Sequence, residues 1–207
     1  MTRILRFRLG PMDNNTYAIA DESGAAAIVD PSFGAAAILS GIRDAGCDVK
    51  YVLNTHAHFD HIAGNGAVVA ATGALLALHP GDLELLRAMP IQAKMFGMSA
   101  EPSPEPAIEL QDGMTIPLGA TSIRVVHTPG HSPGHVTFLL DEDAIVGDCL
   151  FQGSIGRTDL PGGSFDVLIG SIRSRLLTLP DSTRVWPGHG EPTTIGIERA
   201  TNPFLAE

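Results

Sequence analysis

The sequence predicts an α/β fold in which helices cover the outer faces of β-sheets. Short strand-like segments recur along the whole chain, and segments with helical periodicity interrupt them. The bulk composition agrees, because 207 residues with 44% hydrophobic and 17% charged side chains suit a chain that buries a substantial core. We expect one domain over residues 1–207.

The first part of the chain is predicted to alternate strands and turns. "RILRFRL" alternates apolar residues with arginines, as a strand with one wet face does. The strands "NTYAIA" and "AAAIVD" are separated by "DESG", which has the chemistry of a hairpin turn. Residues 34–45 carry Ile38, Ile42 and Ala45 at helical spacing, and Gly46 is expected to end that helix. "VKYVLN" is then expected to be a buried strand.

The remaining elements follow from the same patterns. A helix is expected to begin near Asn65, followed by the strand "ALLALH" and by the helix "GDLELLRAM" with Asp82 near its start. Residues 97–107 are polar and rich in proline, and we interpret them as a surface loop because strands resume directly afterwards. Further strands are "SIRVVH", "VTFLLD" and "DAIVGD", with "TRVWP" as the last. "FDVLIGSIRSRLLTL" is the clearest amphipathic helix, with an apolar face of Leu168, Ile172, Leu176 and Leu177.

Charge and cysteine content exclude several classes of function. The formal net charge of -10 disfavours binding to nucleic acid or to an anionic membrane, so neither partner is expected. Cys47 and Cys149 form no CxxC pair, and we interpret them as buried thiols in a reducing compartment. No apolar run approaches the ~20 residues that span a membrane, and the N-terminal residues lack the pattern of a secretory signal. We therefore expect a cytoplasmic protein.

Residues 54–61 read "NTHAHFDH" and close a predicted buried strand. Alternate residues of extended backbone project the same way, so His56 and His58 can converge on one ion. Asp60 and His61 follow where the chain turns, and can face a second ion nearby. Imidazole and carboxylate together suit zinc, iron or manganese.

Three later residues complete a predicted metal site. His131 lies in "HTPGHSPGHV", Asp148 in "AIVGDCLF" and His189 in "VWPGHGEP", and each follows a predicted strand. A rigid sheet would therefore hold the loops that carry every candidate ligand.

Three other histidines are interpreted differently. His79 and His127 are read as structural or incidental. His135 lies four residues after His131, and it is either a hydrogen-bonding support for a ligand or a histidine of the framework.

The segment "THAHFDH" followed by His131, Asp148 and His189 resembles the metallo-β-lactamase fold superfamily, from about residue 10 to residue 200. The resemblance implies a four-layered αβ/βα sandwich with two metal ions at one edge, between the sheets. It implies that the first ion is bound by His56, His58 and His131. It implies that the second ion is bound by Asp60, His61 and His189. Asp148 would bridge the two ions, and we name Asp60 and Asp148 as the catalytic carboxylates.

Two longer segments resemble the glyoxalase II group in a short form: "DCLFQGSIGRTDLPGGSFDVLIGSI" and "PGHGEPTTIGIERATNPFL". This resemblance implies hydrolysis of a small-molecule thioester, S-lactoylglutathione or a related acyl-glutathione, by water activated on two divalent metal ions. Zinc is the first expectation for these ions, with iron or manganese as alternatives. Glyoxalase II enzymes of the longer form carry a C-terminal helical domain that binds glutathione, and we expect none here.

Three residues are candidates for binding substrate. Arg157 could pair with a substrate carboxylate, or form an ion pair with Asp159 in the framework. Thr193 and Thr194 follow His189 and could offer their hydroxyls to substrate.

An oxidoreductase is the alternative. Persulfide dioxygenases share the fold, the HxHxDH motif and a "GRTD" segment, and would hold one iron at His56, His131 and Asp148. The "LPGG" after "GRTD" and the "TTIGIER" segment favour the hydrolase. A β-lactamase is disfavoured by the missing secretory signal, and a nucleic-acid-processing enzyme by the acidic charge balance. A non-enzymatic metal-binding protein would be expected to have lost ligands, yet all seven are present.

Overall fold

Two six-stranded sheets form the centre of the protein in a computed structural model that describes residues 2–206. The first sheet contains, in spatial order, β1 (Arg3–Leu9), β2 (Asn14–Ala20), β3 (Ala25–Val29), β4 (Asp48–Leu53), β5 (Leu75–Leu78) and β6 (Ile108–Glu109). The second contains, in spatial order, β14 (Thr193–Thr194), β13 (Arg184–Pro187), β10 (Asp143–Gly147), β9 (Val136–Leu140), β8 (Thr121–His127) and β7 (Thr115–Leu118). A separate hairpin pairs β11 (Leu150–Phe151) with β12 (Ser154–Ile155).

Seven α-helices connect or cover the strands of residues 2–206. They are α1 (Ala35–Asp44), α2 (Phe59–Ile62), α3 (Asn65–Thr72), α4 (Leu83–Arg87), α5 (Met89–Met95), α6 (Phe165–Ser171) and α7 (Ile195–Thr201). A 3-10 turn precedes α4 at Pro80–Asp82, and a π-helical turn continues α6 at Ile172–Leu176. Within residues 2–206, every helix is too short or too polar to cross the hydrocarbon layer of a membrane.

Three hydrophobic cores separate four layers. The central core lies between the two sheets and joins Ile19 and Leu53 of the first sheet to Val125 and Phe138 of the second. A second core packs α1 and α3 on the outer face of the first sheet. A third core packs α6, its π-helical turn and α7 on the outer face of the second sheet. The predicted αβ/βα sandwich is therefore confirmed.

Alternation along the strands distributes side chains between these cores. Val125 faces the central core, whereas the next residue, Val126, faces the outer core of the second sheet. Phe138 and Leu139 divide in the same way. Successive side chains of a strand point to opposite faces, so strands covered on both faces become apolar throughout.

Most predicted elements are confirmed, and three details were wrong. The helix predicted from Phe165 onward is α6 followed by a π-helical turn, although Leu168, Ile172 and Leu176 are fully buried as expected. β13 is not the last strand, because β14 pairs with it. Cys47 is only partly buried, whereas Cys149 is buried as expected.

The topology brings four strand ends to one edge of the sandwich. β4 is parallel to its neighbours β3 and β5, and β10 is parallel to β13. β8 and β10 are each antiparallel to β9, so they share a direction. Two backbone hydrogen bonds join the sheets at this edge. The Asn15 N–H donates to the Gly188 carbonyl and the Val136 N–H donates to the Thr55 carbonyl, both at 2.7 Å.

Candidate metal centre

The structure brings the seven predicted ligands together at this edge. In the described part of the chain, three sets of ligand atoms cluster, and within each set the atoms lie within 4.8 Å of one another; one of these sets joins Asp30, which was not a predicted ligand, to His56 and His61. We call the first set the imidazole group; it consists of His56, His58 and His131. We call the second set the mixed group; it consists of Asp60, His61 and His189.

Asp148 lies between the two groups. Its Oδ2 is 3.6 Å from Nε2 of His131 in the imidazole group. The same oxygen is 3.6 Å from Nε2 of His189, and Oδ1 is 3.4 Å from Nε2 of His61, both in the mixed group. This carboxylate is therefore within reach of both groups, as the predicted bridging role requires.

The hydrogen bonds of His56 fix which of its nitrogens carries the proton. The Thr55 hydroxyl donates to Oδ2 of Asp30 at 2.6 Å, so it has no hydrogen left for Nδ1 of His56 at 2.9 Å. Nδ1 of His56 must therefore donate to that hydroxyl, and the neutral ring leaves a lone pair on Nε2. His56 Nε2 is buried and has no hydrogen-bond partner among residues 2–206.

Three more ligands are oriented by the same logic. Nδ1 of His131 donates to the Arg157 carbonyl at 2.8 Å, and Nδ1 of His189 donates to the Met12 carbonyl at 3.1 Å. Nδ1 of His61 lies 3.2 Å from Oδ2 of Asp30, which accepts. In each ring Nε2 is the remaining nitrogen, and it faces the other ligands.

These observations fit a metal site. A metal-bound histidine typically donates its other ring nitrogen to a carbonyl, carboxylate or other oxygen, which sets the tautomer and aims the lone pair. Nδ1 of His58 and Nε2 of His131 are 2.8 Å apart, and Nε2 of His61 and Nε2 of His189 are 3.3 Å apart. A cation shared by converging nitrogens and carboxylates would satisfy all of them at once.

Burial keeps the imidazole group neutral. Burial lowers the pKa of His56 well below its usual value, and the imidazoles of His61 and His131 lower it further. Burial, followed by the nearby His131, lowers the pKa of His58 to about 3. Burial also lowers the pKa of His131, although Asp148 opposes it. Neutral imidazole is the form that binds a metal.

Carboxylates dominate the mixed group. Burial alone would lower the pKa of His61, but the charges of Asp148 and Asp60 raise it well above its usual value. Burial would likewise lower the pKa of His189, and the hydrogen bond to Asp60 and the charge of Asp148 raise it. Burial would raise the pKa of Asp148, but the imidazoles, His61 first, hold it below its usual range. The carboxylates of this half of the site therefore stabilise positive charge, either as protons on His61 and His189 or as a metal ion that displaces those protons.

A buried carboxylate that we had not assigned to the site connects two ligand loops. Oδ2 of Asp82 accepts from the Ala57 amide at 3.0 Å and from the Ser132 hydroxyl at 2.7 Å, and Oδ1 accepts from the Gly134 amide at 2.5 Å. Ala57 lies between His56 and His58, and Ser132 follows His131. Burial raises the pKa of Asp82, and the three hydrogen bonds oppose that shift. In the sequence, Asp82 has the pattern of a residue that begins a helix.

Asp30 is a second support that sequence reasoning missed. It accepts from the Thr55 amide at 2.7 Å, in addition to the Thr55 hydroxyl and His61. Its backbone has a φ of 49°, in the left-handed region that few residues other than glycine adopt, and such strain concentrates at functional sites. The signal was present in the sequence, since Asp30 follows the strand "AAAIV" as the ligands follow theirs.

His135 belongs to the framework and supports Asp148. Its Nε2 accepts from the Asp148 amide at 3.2 Å, and its Nδ1 lies 3.0 Å from the Thr128 hydroxyl. Its ring stacks on His56 with centroids 5.2 Å apart. His79 and His127 stack on each other at 4.3 Å, and neither belongs to the two ligand groups, in agreement with our interpretation. Burial raises the pKa of the Cys149 thiol, which keeps it protonated and inert.

The three candidate substrate residues lie in different surroundings. Arg157 lines the cavity beside the ligands, and its guanidinium also binds both carboxylate oxygens of Asp159 at 2.7 Å. The Thr193 hydroxyl donates to Glu198 at 2.7 Å, and the Thr194 hydroxyl caps α7. Among residues 2–206, neither threonine lines the cavity. The prediction that these two threonines bind substrate therefore has no geometric support.

A cavity of about 330 Å³ opens directly onto the ligands. His58, Asp60, His131, Asp148 and His189 contribute to its lining. A larger cavity of about 640 Å³ is lined by residues such as Arg3, Asp21 and Trp186, and none of the seven predicted ligands lines it. The smaller cavity is therefore the one suited to a substrate of the metal centre.

An αβ/βα sandwich with histidine and aspartate ligands clustered at one sheet edge defines a class of metal-binding proteins. A family model described as the Metallo-beta-lactamase superfamily matches residues 9–189. The chain belongs to this superfamily.

Two curated relatives match nearly the whole chain. The hydroxyacylglutathione hydrolase GloC of Haemophilus influenzae is 37% identical over 202 residues, which are 92% of each chain. The probable metallo-hydrolase YqgX of Bacillus subtilis is 36% identical and covers 97% of this chain, with 96% of its own length matched.

Three solved structures resemble the protein. BLEG-1, described as a B3 metallo-beta-lactamase, is 35% identical with a TM-score of 0.93, and the match covers 99% of this chain and 100% of BLEG-1. TTHA1623 in a di-iron-bound form is 40% identical with a TM-score of 0.90, covering 97% and 100% respectively. ETHE1 from Myxococcus xanthus is 27% identical with a TM-score of 0.81, covering 98% and 83%.

Proposed function

We propose that the protein is a binuclear metal-dependent hydrolase of thioesters, with acyl-glutathione compounds such as S-lactoylglutathione as the substrate class. One observation carries the proposal: the imidazole and mixed groups are both complete and lie side by side beneath one cavity. The similarity to GloC, a hydroxyacylglutathione hydrolase, supports the choice of substrate class.

The residues of the site would have distinct roles in metal binding, ligand orientation and substrate binding. Two divalent ions would supply Lewis-acid activation of a water molecule and of the thioester carbonyl near neutral pH. The imidazole group would hold the first ion and the mixed group the second, while Asp148 would bind both. Asp30 and the Arg157 and Met12 carbonyls keep the lone pairs of His61, His131 and His189 aimed inward. The cavity would hold the acyl carbon above these ligands.

The similarity to GloC, rather than the mixed group, favours hydrolysis over the oxidoreductase alternative. A dioxygenase site of two histidines and one carboxylate would need only His56, His131 and Asp148. Persulfide dioxygenases share the HxHxDH motif, so the presence of Asp60 and His61 does not distinguish the two reactions, and activity assays must do so.

Opening of a β-lactam ring is a second candidate. BLEG-1 is described as a B3 metallo-beta-lactamase and matches 99% of this chain. The reaction also requires attack of water on an acyl carbon, so the same ligands could perform it.

The test compares reactions on protein loaded separately with zinc, iron and manganese. We expect two metal equivalents by elemental analysis, release of free thiol from S-lactoylglutathione with zinc, and no oxygen uptake with glutathione persulfide. His131→Ala should abolish thiol release, whereas His127→Ala, which removes a histidine outside both ligand groups, should retain it.

Two results would overturn the assignment. Oxygen uptake with persulfide, combined with background thioester cleavage for every metal, would make the protein an oxidoreductase. Opening of a β-lactam such as nitrocefin without thioester cleavage would favour the second candidate.

A further inference from the structure

We propose that the cavity above the metal centre binds the acyl end of the thioester and selects apolar acyl chains. This inference rests on the proposed function, because it concerns the substrate of the same site. It divides the substrate into an apolar part that the protein grips and a charged part that remains in solvent.

Apolar side chains form most of the cavity wall outside the predicted ligands. They come from four separate segments: Met12, Phe59, Phe96, Phe151, Ile155 and Leu160. Phe59 and Phe96 stack with ring centroids 5.1 Å apart, and Phe59 is itself buried against Phe33. One wall is therefore a fixed aromatic surface rather than a set of mobile side chains.

The polar residues of the cavity are few and largely engaged. Outside the predicted ligands they are Gln92, Ser154 and Arg157. The Gln92 amide donates to the Leu85 carbonyl at 2.7 Å, which uses one of its two hydrogens to join α4 to α5. Both carboxylate oxygens of Asp159 hold the Arg157 guanidinium.

Glutathione presents two carboxylates and one ammonium group, and its recognition calls for matched charges. Among the residues that line the cavity between positions 2 and 206, Arg157 is the one Lys or Arg. It faces a competing carboxylate, and its side chain is 52% exposed. The cavity therefore offers little to the charged thiol carrier, whereas burial of an acyl chain against the aromatic wall is favourable.

The solvent exposure of two apolar residues in the cavity wall indicates that part of the apolar surface is available to a ligand. Phe96 is 44% exposed and Met12 is 36% exposed, although both line the cavity. Large apolar side chains are normally more buried than this, and an exposed cluster of them commonly marks a binding surface. Its position beside the ligands makes the acyl group of the substrate the natural occupant.

Binding of thioethers tests the inference without catalysis. S-methyl-, S-butyl- and S-hexylglutathione cannot be hydrolysed, and their affinity for the zinc-loaded protein can be measured by calorimetry. Because each methylene group enters an apolar wall, we expect affinity to rise roughly two- to fourfold per added CH₂. An affinity that does not change from methyl to hexyl would overturn the inference.

Variants of residues that line the cavity show where the alkyl chain of the ligand binds. Phe96→Ala should reduce the gain per CH₂ to less than about 1.5-fold, and Phe96→Leu should retain most of it. Leu160→Ser should also weaken the gain, since Leu160 lines the same cavity. Ile91→Ala is the matched control, since Ile91 lies on α5 and is 68% exposed but does not line the cavity. If the rise in affinity per CH₂ is undiminished in both Phe96→Ala and Leu160→Ser, the alkyl chain binds elsewhere and the inference is refuted.

A kinetic series separates this inference from the proposed function. If hexanoylglutathione is cleaved with a higher kcat/KM than acetyl- and lactoylglutathione, both stand. If all thioesters are cleaved and the lactoyl compound is favoured, the function stands and the acyl preference is wrong. If no thioester is cleaved while thioether affinity still rises with chain length, the apolar site stands and the proposed hydrolase does not.

Discussion

The imidazole group and the mixed group differ in charge. Burial lowers the pKa of all three histidines of the imidazole group, so these ligands are neutral. In the mixed group, the carboxylates of Asp60 and Asp148 outweigh burial and raise the pKa of His61 and His189. The imidazole group offers neutral nitrogen lone pairs, whereas the carboxylates of the mixed group favour protons on His61 and His189 that a metal ion would have to displace.

The two groups also differ in how they are held. Asp82 joins the loop of His56 and His58 to the loop of His131 through buried hydrogen bonds. In the mixed group, the side chain of His189 is 27% exposed and its Nδ1 bonds to a single carbonyl, that of Met12. Asn14 adds one direct bond to Asp60, at 2.8 Å.

Two neighbouring ligand groups within one fold can therefore differ in both charge and support. The imidazole group is organised by the sheet edge and by a buried carboxylate that touches no ligand side chain. The mixed group is held by Asp30 and Asn14, but one of its ligands, His189, lies near the surface. We expect the first ion to bind more tightly than the second.

The largest effect is expected where the two groups meet. Asp148→Ala should remove both ions and lower thioester hydrolysis by more than about 100-fold, because one carboxylate serves both halves. Elemental analysis and thiol release measure the two effects. Asp143→Ala is the control, since Asp143 lies at the other end of β10 and binds Arg184 and Trp186. Retention of both ions by Asp148→Ala would remove the bridge from the model.

Loss of His189 should affect the affinities of the two metal ions unequally. His189→Ala should weaken the second ion by more than about 100-fold and the first by less than about threefold, because only the mixed group loses a ligand. Stepwise metal titration distinguishes the two ions. Equal weakening of both would mean that the groups do not bind independently.

Asp82→Asn should weaken metal binding by the imidazole group. The NH₂ group of asparagine is a donor, so it would face one of the three buried donors that now bind Asp82. This mismatch should lower the free energy of unfolding by about 1–3 kcal/mol. The first ion should weaken by about 10- to 100-fold and the second much less. Ser132→Ala removes a single donor and should have a smaller effect on both quantities. Destabilisation without a change in first-ion affinity would restrict Asp82 to folding.

The smallest effect on activity is expected for Thr194, which lies outside both ligand groups. Thr194→Ala removes the cap of α7 and should lower the free energy of unfolding by about 0.5–2 kcal/mol. Its kcat/KM should stay within about threefold of the unmodified protein, since Thr194 does not line the cavity. A selective rise in KM at unchanged stability would restore the role in substrate binding that the sequence predicted.

Local patterns were sufficient for the longer elements and for the positions of the ligands. Strands such as β8 and β9 were predicted because an apolar strand of four or more residues stands out between turns. The ligands were found because His56, His131, Asp148 and His189 each follow such a strand. A resemblance between motifs then implied the division into two groups; the ligand atoms of each group cluster, and Asp30, His56 and His61 form a further cluster across that division.

Very short elements were beyond that reasoning. β6, β11, β12 and β14 contain two residues each, and such strands exist only because a distant segment pairs with them. The π-helical turn after α6 and the short helix α5 likewise have no local pattern of their own. Their conformation is decided by what they pack against.

Local sequence patterns predicted the strands, the outer helices and the candidate ligands, because periodicity and strand ends are local properties of the chain. Only the tertiary structure assigned roles to Asp30 and Asp82, and only it separated Arg157 from Thr193 and Thr194. Asp82 and Ser132 are 50 positions apart and meet because two loops converge at one edge. A buried carboxylate becomes a support when distant donors surround it, and no local pattern records which donors those are.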